Sequence, residues 1–250
     1  VDQSCDTLLS LRPEAIKAAD PDVDFSQYSR LVIIAPLGPG CGFLGTSSIG
    51  KMLVPTPNEV VSLSVSTIVA NNLGISDVIL AHELGHALGV HHASRLRCGS
   101  VPLASSGCTT AEYGNLYSIM GTGGVTDGHM DVFHEEYLGW LDTSPIATVT
   151  ANGIFTLEPL QSALPGLKAI KIQHDSATYL YMEYRTYPGA LLYIEGPYIH
   201  SLLINAQSPG SGFTTYALSV GDVFTDPMTG VQVTVTNKTS TMLTVDVKFG

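Results

Sequence analysis

Five residues within an eleven-residue stretch, His82, Glu83, His86, Gly89 and His92, have the types and spacing needed for a specific chemistry. Positions four apart on a helix differ by about 40° around its axis, so His82 and His86 present their imidazoles from one face. Gly89 stands where that helix must end, because a residue without a side chain adopts the left-handed conformation that reverses the backbone. The returning chain brings His92 to the same place as a third nitrogen donor. Three imidazoles and one open position are the donor set of a catalytic zinc ion. Glu83 is rotated by about 100° from His82. That orientation suits a carboxylate that accepts a proton beside the metal instead of binding it. The chemistry implied is hydrolysis: the ion supplies Lewis acidity, Glu83 takes a proton from the attacking water and hands it to the leaving amine, and no covalent intermediate is needed.

A His-Glu-x-x-His match alone arises by accident in many helices. With eight histidines in 250 residues, a chance match to all five positions is on the order of one in ten thousand or less.

The elements that must hold these residues can be read from patterning. Ser76 and Asp77 offer an N-cap to an apolar helix that contains Val78, Ile79, Leu80, Leu84, Ala87 and Leu88 and stops at Gly89. Upstream, Leu8, Leu11, Ala15, Ile16 and Ala19 recur at helical spacing over residues 7–19 until Pro21. Residues 31–36 are a short apolar run that reads as a buried strand. Residues 60–70 alternate Leu63, Val65, Thr67 and Val69 with Ser62, Ser64 and Ser66, as expected for an edge strand with one polar face. The Gly-, Ser- and Thr-rich residues 98–128 read as loops, and 130–140 as a helix.

From residue 145 the texture changes to short strand-like runs at 153–157, 168–172, 179–184, 198–204, 231–235 and 242–247, separated by turn residues such as Asn152-Gly153 and Pro188-Gly189. Two domains are expected: residues 1–142 around the histidines, and residues 145–250 as an all-β sandwich of roughly eight strands.

Charged residues are only 13% of the chain and the formal net charge is −11, so the sparse Lys and Arg argue against a nucleic-acid partner. No apolar run reaches the roughly 20 residues that span a bilayer, and no membrane role is expected. Four cysteines, few lysines and abundant Ser, Thr and Tyr suit a secreted, extracellular protein with two disulfides. The expected pairs are Cys98 with Cys108 and Cys5 with Cys41. Their spacing opposes a Cys-ligated metal site.

The stretch from His82 to His92 resembles the extended zinc motif of the metzincin clan of metallopeptidases. Ser118-Ile119-Met120-Gly121 resembles the clan's Met-turn, and the resemblance implies that Met120 forms an apolar floor beneath the imidazoles. Within the clan the chain is most similar to the gametolysin-like family, related to the immune-inhibitor-A-like peptidases. The residues that carry this likeness are Tyr113-Gly114-Asn115, Phe133-His134 and Leu138-Gly139-Trp140-Leu141. Tyr181-Met182-Glu183-Tyr184-Arg185 and residues 220–227 resemble the β-rich domain that follows in that family.

The resemblance implies an α+β fold: a metzincin-type catalytic domain of twisted mixed sheet plus zinc helix, followed by an all-β sandwich-like domain. The expected activity is that of a secreted zinc metalloendopeptidase acting on protein or peptide substrates. Two departures stand out. Thr122 occupies the position where some metzincins place a Tyr ligand, and the chain begins almost in its first helix, so an upstream propeptide is expected.

Other residues are read more plainly. His91 falls out of register with the motif and is expected to be exposed, whereas His129 and His134 are expected to be structural. Asp127 and Asp131 are weak candidates for calcium. Asn237-Lys238-Thr239 is a glycosylation acceptor in a eukaryotic setting. An extended substrate is expected to pair along the strand at residues 60–70. Two alternative functions stay open. One is a surface- or glycan-binding protein with a structural zinc, in which the C-terminal domain attaches to matrix or cell wall and the seven tyrosines between Tyr179 and Tyr216 stack on sugars. The other is a zinc hydrolase of non-peptide amides.

Overall fold

The computed structural model describes residues 8–36, 43–70, 75–122, 129–141, 145–206 and 216–250. Cys5, Cys41 and Asp127 lie outside them. The protein is α+β and mostly sheet, with three α-helices and fifteen strands among the described residues. It divides into two compact units, Val1–His91 and His92–Gly250.

In the first unit, strand β1 (Arg30–Ala35) pairs in parallel with β4 (Val60–Val69). On its other side β4 pairs antiparallel with β2 (Gly45–Ser47) and with β3 (Met52–Pro55). The strand expected at an edge is therefore the centre of its sheet. Its alternation is real, but of its serines only Ser62 is exposed. Leu63 and Val65 pack with Ile16, Phe25, Ile33, Val54 and Val61 on the side of helix α1 (Leu8–Ala19). Ser64 and Ser66 are also buried. Helix α2 (Asp77–Leu88) packs on β4 and β2, and small hydroxyl residues let a helix approach closely where larger side chains would hold it off. The Ser66 hydroxyl is satisfied by Ser47 Oγ at 2.7 Å.

In the second unit a seven-stranded mixed sheet has the order β6-β5-β12-β11-β10-β9-β7. Its strands are β5 (Ala93–Arg97), β6 (Thr109–Ala111), β7 (Ile146–Val149), β9 (Ala169–Gln173), β10 (Tyr179–Tyr184), β11 (Ala190–Gly196) and β12 (His200–Leu203). A four-stranded antiparallel sheet combines β13 (Val223–Thr225), β14 (Gln232–Lys238), β15 (Leu243–Lys248) and β8 (Gly153–Leu157). The two sheets enclose one core, with Leu180, Met182 and Leu192 from the first and Val233, Val245 and Val247 from the second.

The opposite face of the large sheet is also buried. There Tyr181, Leu191 and Tyr193 pack with Val132 and Phe133 of helix α3 (Val132–Tyr137). Burial on both faces explains why β11 reads as an unbroken apolar run instead of an alternation. The unit boundary falls earlier than residue 142 because β5 joins this sheet, pairing in parallel with β12 so that Ser201 lies opposite Ala93. That pairing spans more than a hundred residues and has no local signature. Residues 98–128, read as loops, contain β6, and the helix read at 130–140 is confined to α3.

A buried polar network fixes α3 on the sheet. Arg185 and Glu183, both fully buried, pair at 2.7 Å. Glu183 also accepts from Tyr193 Oη at 2.9 Å and from the Val132 amide at 2.8 Å, and Arg185 donates to the Met130 carbonyl at 2.5 Å. A buried charge left without its partner costs about 3–5 kcal/mol. Arg185→Ala is thus expected to lower the unfolding free energy by about that amount in urea titrations, and replacing Glu183 with Gln in the same chain should recover part of the loss.

Candidate metal centre

Helix α2 is built as its sequence implies. Ser76 caps it by accepting from the Ile79 amide, and Gly89 ends it with φ 112° in the left-handed region. The reversal is tied at several points: the Gly89 amide donates to the His86 carbonyl at 2.8 Å, and the Gly50 amide to the same carbonyl at 2.8 Å. Beyond the turn, His86 Nδ1 meets the Val90 carbonyl at 2.9 Å. The outcome is that His82, His86 and His92 each bring a ligating nitrogen within 4.8 Å of the others. The His82 and His86 rings stand edge to face at 4.8 Å.

The donor set fits a metal ion. Three neutral nitrogen donors packed this closely favour a cation, and imidazoles that donate through Nδ1 to an oxygen present Nε2 as the ligating atom. His86 does this with Val90, and His92 does it with Glu112, whose Oε1 lies 2.7 Å from His92 Nδ1. Glu112 has no motif spacing to reveal it. It reaches His92 because β6 pairs with β5 and the chain then turns at Tyr113, whose φ is 57° and whose ring lies on the His92 ring at 3.8 Å. His200, from β12, stands edge-on to His92 at 6.4 Å.

The segment around Met120 holds the third histidine's backbone. Met120 is fully buried, and its carbonyl accepts from the amide of Ala93, the residue after His92, at 2.8 Å. Gly121 follows in a space where a Cβ would meet the Asn115 carbonyl oxygen at 2.1 Å. The Ile119 amide donates to the His129 carbonyl at 2.9 Å. That bond links the turn to the segment anchored by Arg185.

Glu83 is buried on α2, and its Oε2 has no hydrogen-bonding partner among the described residues. Burial pushes its pKa up to about 7, and a nearby dication would act in the opposite direction. Space for the carboxylate comes from Gly45 of β2, where a Cβ would stand 2.7 Å from both Glu83 Cγ and Oε1. Gly45 too escapes sequence reading, because only the packing of β2 over α2 gives it a role.

Cys98 and Cys108 form a disulfide. His91 is partly buried, not exposed. His134 is fully buried with Nε2 at 3.0 Å from the Ile199 carbonyl, and His129 faces Glu135 at 3.8 Å. Asp131 caps α3 by accepting from the His134 amide and also accepts from Ser201 Oγ at 2.6 Å, so its carboxylate is engaged in structure. Of the seven tyrosines from Tyr179 to Tyr216, Tyr181, Tyr184, Tyr193 and Tyr216 are core residues. No helix among the described residues is long and apolar enough to cross a membrane.

Comparison with family models, with curated proteins and with solved structures finds no match to this chain.

Carboxylates that orient a metal-binding imidazole typically change affinity by about 10- to 100-fold when removed. Glu112→Ala is therefore expected to weaken zinc binding by that factor in competition with a chromophoric chelator, with the unfolding transition little changed because Glu112 is largely exposed.

Proposed function

We propose that this protein is a secreted zinc metalloendopeptidase of the metzincin type, in which His82, His86 and His92 hold the metal and Glu83 is the general base. The observation that carries the reading is the pairing of a three-imidazole cluster with a buried carboxylate on the same helix whose Oε2 is without a partner among the described residues. A structural metal site needs no such base. Its usual form fills all four positions with protein ligands.

Zinc bound by these residues would supply Lewis acidity, lowering the pKa of water and polarising a carbonyl. Glu83 does the proton work. Its Oε2 takes a proton from the attacking water, and the same oxygen delivers it to the departing amine, so one carboxylate serves as base and then as acid. The clearance at Gly45 lets that side chain occupy its position. In this reading Met120 provides the apolar floor and Glu112 orients His92.

The substrate strand is reassigned. With β4 interior, an extended peptide pairs along β2, the outer strand in the order β1-β4-β2, whose Gly45 lies against Glu83. Strand addition there runs the peptide backbone past the base.

Two substitutions test the assignment in the zinc-loaded protein. Glu83→Gln is expected to retain one zinc per chain by elemental analysis while losing peptide cleavage by roughly a thousandfold or more; full cleavage by this variant would refute the role of Glu83. Gly45→Ala keeps every proposed catalytic group but crowds Glu83. It is expected to lower kcat about 10- to 100-fold with zinc content unchanged, and unaltered kcat would show that the clearance is irrelevant.

A further inference from the structure

Arg95 and Arg97 project from the same face of β5, two residues apart along the strand. Together with Cys98, Val101, Asn205 and Tyr216 they line a cavity of about 370 Å³. Lys168, Lys171, Arg185 and Lys248 each pair with a carboxylate, whereas Arg95 and Arg97 have no carboxylate partner among the described residues.

Arg95 is also held ready. Its guanidinium lies over the Tyr216 ring at 4.9 Å and donates to the Tyr216 hydroxyl, yet its buried Nε has no acceptor among the described residues. Asn205 adds a buried Oδ1 with no donor among the described residues. A site with unsatisfied guanidinium donors and one unsatisfied acceptor matches a carboxylate attached to a peptide, which offers both anionic oxygens and N–H groups. It matches a bare inorganic anion less well. Arg is suited to this because its planar fork binds carboxylate through two parallel hydrogen bonds.

The position is informative as well. Arg95 follows His92 by three residues, about 10 Å along an extended chain, which is within the span of a few substrate residues. We propose that Arg95 and Arg97 form a subsite that selects a Glu or Asp side chain in the peptide substrate. This inference rests on the peptidase reading for its substrate, but its test does not depend on turnover.

The experiment uses full-length Glu83→Gln protein, which is expected to bind peptides without cleaving them, and measures fluorescence anisotropy with acetylated, labelled hexapeptides carrying a single Glu or Gln at each position in turn. At one position Glu is expected to bind about 10- to 100-fold more tightly than Gln. Adding Arg97→Gln, an exposed position that leaves folding intact, should remove most of that preference, and Arg95→Lys, which keeps the charge but loses the fork, should reduce it. Glutarate and neutral glutaramide serve as unattached probes by thermal shift.

Glu preference lost in the arginine variants supports the subsite. Stabilisation by glutarate with equal binding of Glu and Gln peptides shows a small-anion site and overturns the substrate role. Equal peptide binding without glutarate stabilisation overturns the subsite entirely. Failure of the unsubstituted protein to cleave any of these peptides, with the Glu preference intact, counts against the peptidase reading while the subsite stands.

Discussion

Three imidazole nitrogens converge within 4.8 Å here because the chain that supplies two of them from a helix turns back at once to supply the third. That reversal is the constraint around which the neighbourhood is arranged. Gly89 makes it possible by adopting φ 112°. A turn of this kind is cheap for glycine but floppy unless tied, and the His86 carbonyl, accepting from both Gly89 and Gly50, is one tie. The His86 side chain reaching over the turn to Val90 is another. Past the turn, Met120, Glu112 and Tyr113 hold the backbone, the outer nitrogen and the ring face of His92.

The site concentrates polar groups where burial is costly. An ionised carboxylate out of water without a partner is costly, and the free energy is reduced when the group keeps its proton. Glu83 sits in that situation, with a pKa pushed up by burial. Two other buried carboxylates have partners: Glu183 has Arg185, Tyr193 and the Val132 amide, and Asp131 has Ser201 and the N-terminus of α3. The contrast between these partnered carboxylates and Oε2 of Glu83 is what motivates the role proposed for the latter.

Much of this was legible in the residues, and the division is physical. Features set by neighbours in sequence could be read directly: the capped helix from Ser76 to Gly89, the pairing of Cys98 with Cys108, and the runs that became β8, β10 and β15. Features set by packing at a distance could not. Whether the serines of β4 meet water or α2 depends on which strands lie beside β4. The place of β5 in the large sheet depends on a parallel partner at His200–Leu203. Glu112 and Gly45 gain their roles only through such contacts, since a carboxylate twenty residues from His92 and a glycine far upstream of Glu83 carry no pattern of their own.

The central claim is that His82, His86 and His92 make an open three-nitrogen zinc site. X-ray absorption at the zinc edge of the purified, stoichiometrically loaded protein tests it most directly. The expected result is three imidazole nitrogens at about 2.0–2.1 Å with a fourth position exchangeable by small anions. Sulfur scattering, four imidazoles, or the same spectrum after His92→Ala would contradict it.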